Sequence, residues 1–259
     1  MFTVLRRSPK LLPFWALSKL YLTFGLQVQA SRLTVFLPSH LYDVRTVDGI
    51  RFGVRLSKPE DYEVVYGSHE KAFLDIKPGQ GDFVLDLGAH IGSYTLRYSR
   101  LVGENGSVIA FEPSPENRRI LRWNLRLNNA QNVEVRGEAL GDFTGTASLS
   151  LSPSSTGHSL HHLPDNIHQG GRILVPTIKL DDIQLDRVDF VKMDVEGNEM
   201  NVLRGGERTF LSRKPKMQIE VHAPHGQECS VCNWLQDKGF STKVLGRAGT
   251  GDMIESHHG

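Results

Sequence analysis

With 30 basic and 29 acidic side chains and a net charge of +1 over 259 residues, the chain lacks the one-sided positive charge of a nucleic-acid binder. Its 39% hydrophobic content suits a globular protein with a full core, built as one large domain or as one domain with an N-terminal extension. Two cysteines exclude a disulfide framework and fit a reducing compartment.

The charge is unevenly placed. Arg6, Arg7, Lys10, Lys19 and Arg32 face no acid within residues 1–40, so that stretch carries +5 and the remainder −4. Within residues 11–28, Lys19, Thr23 and Gln27 form a polar stripe, while Phe14, Leu17, Tyr21 and Phe24 lie elsewhere on the helical wheel. Lys19 interrupts the apolar run, which argues against a transmembrane span and against a signal peptide. Two readings remain: a helix packed on the domain, or a basic amphipathic helix lying on an anionic membrane. Either keeps the protein cytoplasmic, the second with peripheral contact at the inner face of the membrane through residues 1–40. Leu33 to Leu37 and Val44 to Val54 favour strands, with Asp48-Gly49 as a hairpin turn. Residues 1–66 thus read as an extension with a small β cap, and residues 67–259 as the main domain. Gly67-Ser68-His69 opens a helix carrying Glu70, which is included among the candidate cofactor contacts.

Phe83 to Leu87 is a short apolar run ending in Asp86-Leu87-Gly88-Ala89-His90-Ile91-Gly92, followed by a helical segment. This is a buried strand, a tight turn and a helix start. Gly88 lets the backbone bend close to a ligand and Gly92 lets the helix pack on the sheet. A helix N-terminus by itself welcomes phosphate, but Asp86 just before the turn repels it. A carboxylate there suits a positively charged ligand, such as the ammonium and sulfonium of S-adenosylmethionine.

From Asp82 onward strands and helices alternate, the pattern of a doubly wound parallel sheet. The second strand, Ser107 to Phe111, ends at Glu112-Pro113, twenty positions after Gly92. An acid there is placed to accept ribose hydroxyls. A helix follows from about Pro115 to Asn128-Asn129, then a third strand, Val133 to Arg136. Adenine is expected between the ends of the second and third strands, with Glu138 or Ala139 at its edge. Thr144 to Ser152 and Arg172 to Lys179 read as a β-hairpin insert, joined by a stretch holding His158, His161, His162 and His168. That stretch reads as a substrate lid or as a solvated loop.

A buried strand, Val188 to Met193, runs into Asp194-Val195-Glu196-Gly197-Asn198-Glu199. A parallel neighbour, Met217 to Val221, carries Glu220 and ends in His222. Adjacent parallel strands bring Asp194, Glu220 and His222 to the same carboxyl edge as Asp86. Ionisable groups gathered there are costly unless they bind or react. His222 and Asp194 are the candidate general bases, with Glu196 and Glu199 orienting an acceptor; Glu199 also reads as a helix-N-terminal acid. The expected mechanism is metal-independent, the contrasting one a divalent cation held by Asp194 and Glu220. Cys229 and Cys232, with His222 and His225 upstream, have zinc-site spacing, but read as two small side chains one helical turn apart. No metal is expected. Thr242 to Leu245 and Asp252 to Glu255 supply a closing hairpin.

Asp86-Leu-Gly-Ala-His-Ile-Gly92, Glu112-Pro113, Ala139-Leu-Gly-Asp142, Lys192-Met-Asp-Val-Glu-Gly-Asn-Glu199 and Ile219-Glu-Val-His222 together resemble the FkbM family of S-adenosylmethionine-dependent methyltransferases. The resemblance spans roughly residues 67 to 245. It implies a Rossmann-like, seven-stranded class I methyltransferase sheet and O-methylation of a hydroxyl on a sugar, glycolipid or polyketide-like molecule. It further implies that Glu70, Asp86, Gly88, Ala89, His90, Ile91, Gly92, Glu112, Pro113, Glu138, Ala139 and Asp194 surround S-adenosylmethionine. Two other classes stay open on the residues: an NAD-dependent oxidoreductase, and a non-catalytic adenosine-ligand binder with a membrane-docking extension. The acceptor (small molecule, glycan or lipid) and the oligomeric state are not encoded in these motifs.

Overall fold

The computed structural model describes residues 42–66, 76–151, 159–161, 171–222, 229–248 and 251–258. The amphipathic stretch 11–28, the Leu33 to Leu37 segment, Glu70 with its helix, His158, His162, His168 and His225 lie outside the described residues.

The first elements are an antiparallel hairpin, β1 (Tyr42–Val47) and β2 (Ile50–Arg55), and a helix, α1 (Pro59–Tyr66). The hairpin turns at Asp48 and Gly49, both in the left-handed region as a two-residue turn demands. Then come β3 (Phe83–Leu87), α2 (Ser93–Val102), β4 (Ser107–Phe111), α3 (Pro115–Leu127) and β5 (Val133–Arg136), as the alternation predicts. Ser114 caps α3 and Pro115 occupies its first turn, where a missing N–H costs nothing.

The insert is more elaborate than a hairpin. Strands β6 (Ala139–Leu140), β7 (Gly145–Ser150), β8 (Ser159–His161) and β9 (Arg172–Ile178) form a separate four-stranded sheet in the order β6-β9-β7-β8. β7 and β9 are the expected antiparallel pair; β6 joins β9 in parallel and β8 extends the other edge. Two- and three-residue strands carry no periodic signal, so pairing partners alone define them.

The chain then re-enters the main sheet through β10 (Phe190–Met193), α4 (Glu199–Gly205), α5 (Glu207–Arg213), β11 (Lys216–Val221), α6 (Ser230–Asp237), β12 (Phe240–Ala248) and β13 (Gly251–His258). The seven strands lie in the order β12-β13-β11-β10-β3-β4-β5, parallel except that β13 runs antiparallel to β11 and β12. Alternation of side chains along each strand divides two cores. Leu85, Leu87, Val191, Met193, Met217 and Ile219 meet Val202, Leu203, Phe210 and Leu235 of α4, α5 and α6. On the opposite face Val84, Val108 and Phe190 meet Tyr98 and Val102 of α2, while Ala110 meets Leu121 and Leu125 of α3. Each such buried side chain contributes roughly 1.5–3 kcal/mol of hydrophobic stabilisation.

The N-terminal hairpin shares this second core. Ile50, Phe52 and Val54 pack with Ile91, Leu96 and Ile120. Fully buried Asn124 ties the layers: its Oδ1 accepts the Gly53 N–H at 2.6 Å and its Nδ2 donates to the Ile91 carbonyl at 2.8 Å.

Candidate active site

The even-numbered positions of β3, β10 and β11 all point to the α2 face. Register pairs Lys192 with Asp86 on one side and with Gln218 on the other. One residue past the last paired positions, Met193 and Ile219, the same register puts Asp194 beside Glu220, with His222 next. Period-two geometry therefore gathers Asp86, Lys192, Asp194, Glu220 and His222 at one carboxyl edge.

The glycine turn is built as its residues predict. Gly88 has φ +85, and a Cβ there would lie 1.8 Å from the Asp194 carbonyl oxygen, so no side chain fits. His90 is itself left-handed at φ 51. Its backbone N–H donates to Glu112 Oε2 at 2.8 Å, and the Ser114 N–H donates to Oε1 at 2.9 Å. Burial, only partly offset by these N–H groups, pushes the Glu112 carboxyl up to about 7. Each carboxyl oxygen keeps a lone pair for a further donor.

Asp86 is more enclosed than a free counter-charge would be. Its side chain is 0% exposed, Oδ2 accepts from Thr95 Oγ1 at 2.5 Å, and Oδ1 lies 3.9 Å from the Lys192 ammonium. That buried ammonium also donates to Asp194 Oδ2 at 3.3 Å and to the Gly88 carbonyl at 3.0 Å, with the Tyr94 ring 5.2 Å away. Burial disfavours its charge, but Asp194, Asp86 and Glu220 outweigh that and raise its pKa. Lys192 escaped the sequence reading because a lysine inside an apolar strand signals nothing until its neighbours are known.

His222 sits among carboxylates. Nδ1 is 3.1 Å from Glu199 Oε1, and Nε2 is 3.5 Å from Glu196 and 3.6 Å from Glu220. Burial works against the imidazolium, yet the Glu199 hydrogen bond and the Asp194, Glu196 and Glu199 charges raise its pKa to about 9. The surrounding acids thus favour the protonated imidazole. Burial and the Asp194 charge raise Glu220 to about 7, against the pull of His222 and Lys192. Glu199 starts α4, as the helix-terminal reading has it, and touches His222 as well.

At the edge where adenine is expected, Glu138 pairs with Arg136 at 2.8 Å and Ala139 is buried. Arg118 Nη1 donates to the Glu112 and Pro113 carbonyls at 2.7 and 3.1 Å, bracing the second strand's end. Behind the turn stands an ion pair that no motif announces. Arg55 holds Asp61 through Nε and Nη2 at 2.8 and 2.7 Å, and Nη2 also reaches Asn117. Asp61 Oδ1 lies 3.9 Å from His90 Nε2. Cys229 and Cys232 are joined by a disulfide at the start of α6, so their sulfurs bind each other and not zinc.

Residues 86–242 match the model of the methyltransferase FkbM domain. The chain belongs to the FkbM methyltransferase family. This decides against the nicotinamide oxidoreductase alternative. Among its relatives, this methyltransferase is 27% identical over 202 residues to Methyltransferase 1 of Beauveria bassiana, covering 68% of this chain and 81% of that one. It is 28% identical to the 31-O-demethyl-FK506 methyltransferase FkbM of Streptomyces tacrolimicus, with 65% and 75% covered. It is 24% identical to the hexuronic acid methyltransferase AglP of Haloferax volcanii, with 83% and 80% covered. The solved methyltransferase FkbM from Methylobacillus flagellatus shares its fold with a TM-score of 0.57 at 21% identity, over 78% of this chain and about half (51%) of that one. Fibrillarin of Aeropyrum pernix, solved with natively bound S-adenosyl-L-methionine, has the same class I fold at TM-score 0.50 and 15% identity, over 87% and 86%. No helix among the described residues is long and apolar enough to cross a membrane.

Proposed function

We propose that this methyltransferase uses S-adenosylmethionine to methylate a hydroxyl oxygen of a sugar, glycolipid or polyketide-like acceptor. The observation that carries the reading is the carboxyl edge, where a glycine turn and a ribose-ready carboxylate adjoin a cluster of acids around His222. Named relatives act on 31-O-demethyl-FK506 and on a hexuronic acid, both oxygen-bearing acceptors.

The donor fits what is there. Glu112 has lone pairs for two ribose hydroxyls, and the edge is strongly acidic, as a cationic sulfonium prefers. When bound, the donor supplies an electrophilic methyl carbon. The protein's share is to align the acceptor oxygen, to exclude water and to receive the hydroxyl proton. Half-exposed Glu196, in the turn between β10 and α4, is the carboxylate best placed to receive it, with His222 and Glu199 fixing the surrounding geometry. Glu70 remains a proposed donor contact on the resemblance alone.

The test is transfer of labelled methyl from the donor to cell extracts fractionated into lipid, glycan and protein. Label that stays on glycan or lipid through mild alkali marks an ether, hence a hydroxyl acceptor. Alkali-labile label marks an ester and moves the acceptor to a carboxylate. Absence of any transfer by a chain that binds S-adenosylhomocysteine leaves the non-catalytic binder.

A further inference from the structure

The acids at the carboxyl edge are more numerous than methyl transfer by alignment requires. Asp86 and Asp194 flank Lys192, and Glu196, Glu199 and Glu220 surround His222. One donor atom from each of Asp194, Glu220 and His222 can be chosen so that all three lie within 4.8 Å of one another. Ligands on opposite sides of an ion at about 2.0–2.4 Å are about 4–4.8 Å apart, so these three atoms span a single coordination sphere. We propose that Asp194, Glu220 and His222 form a site for one divalent first-row cation beside the entering acceptor hydroxyl, in place of the metal-independent edge expected from sequence.

Two features support the site. First, His222 is oriented as a metal-binding histidine is: Glu199, itself 3% exposed and anchored by the Gly197 N–H at 2.9 Å, holds Nδ1 at 3.1 Å. Nε2 is thereby turned toward Glu220 at 3.6 Å, too far for a good hydrogen bond and near enough for both to bind one ion. Second, Asp194 Oδ1 and the fully buried Asp86 Oδ1 have no hydrogen-bond partner, although both acids flank the Lys192 ammonium. A nitrogen and two carboxylates favour Mn²⁺ or Zn²⁺ over Mg²⁺.

The cation's part in catalysis rests on the methyl-transfer reading; the site itself does not. The ion draws electron density from the acceptor oxygen, the O–H bond breaks, and its proton passes to Glu196. The oxygen's electron pair forms the new bond to the methyl carbon as the carbon–sulfur bond breaks and its pair stays on sulfur.

The test titrates Mn²⁺, and separately Zn²⁺, into chelator-stripped full-length protein, read by calorimetry and by the electron paramagnetic resonance of Mn²⁺. A cooperative thermal melt serves as the folding control for each variant, and S-adenosylhomocysteine binding is measured alongside. One saturable ion per chain is expected, weakened tenfold or more in Asp194→Asn and Glu220→Gln. Glu199→Gln, which touches the ion only through His222, should weaken it about 10- to 100-fold. Should Asp194→Asn fail to fold, Glu220→Gln on the neighbouring strand carries the test. No saturable binding of either ion by a chain that binds S-adenosylhomocysteine overturns the site, and so does binding that both carboxylate variants leave unchanged. Ion binding as described in a chain that does not bind S-adenosylhomocysteine supports the site and defeats the methyl-transfer reading.

Discussion

Replacing Glu112 by glutamine isolates the consequence of burying a carboxylate where the ribose is expected. The wild-type carboxyl, 5% exposed, is raised by burial from 4.5 to about 7, so the folded protein keeps a proton that the unfolded chain has released. Between those values the folded state binds more protons, and stability falls as pH rises; above 7 the loss is complete. The gap corresponds to about 3 kcal/mol, at roughly 1.4 kcal/mol per pH unit. Glutamine does not ionise, but its amide NH₂ must face the N–H of either His90 or Ser114, so the variant loses one hydrogen bond at every pH. Its absolute stability is thus a poor readout and its pH dependence a good one. Urea denaturation of both proteins between pH 4.5 and 8 should show the wild-type advantage shrinking by about 3 kcal/mol across the range, because all other groups cancel in the difference. Parallel curves would refute the argument. Ribose hydroxyls favour the ionised carboxylate, so wild-type affinity for S-adenosylhomocysteine should rise through pH 7 while that of the variant stays flat. Equal, pH-independent binding by both would remove Glu112 from the donor site.

Gly88→Ala forces a methyl group to 1.8 Å from the Asp194 carbonyl oxygen at a left-handed position, and should cost about 3 kcal/mol or more in urea denaturation. Asp61→Ala leaves Arg55, 1% exposed, without its bidentate partner. The expected loss is about 3–5 kcal/mol, and adding Arg55→Met should restore much of it, which thermal melts of the three variants would show. His222→Ala should lower turnover about a hundredfold or more while leaving S-adenosylhomocysteine affinity within a factor of a few. Wild-type turnover in that variant would take His222 out of the reaction.

Local signals were sufficient wherever a residue's role depends on its near neighbours in the chain. The apolar run ending at Asp86, the glycines at positions 88 and 92, the Asp48-Gly49 turn and the Ser114-Pro115 helix start each state their geometry within a few residues, since dihedral preference and side-chain period act locally. Parallel pairing then followed from the alternation, which is why Asp194, Glu220 and His222 were expected at one edge. What the tertiary structure alone decided is which charges meet. Lys192 faces Asp86 across more than a hundred positions of sequence, and Arg55 reaches both Asp61 and Asn117 from the N-terminal hairpin. The raised pKa of His222 depends likewise on Asp194, Glu196 and Glu199 from a distant chain segment, and strands β6 and β8 exist only through their partners. Local sequence determines backbone shape because torsional sterics are short-ranged. Protonation and ion pairing depend on burial and on through-space charge, and those arise only once distant segments have packed.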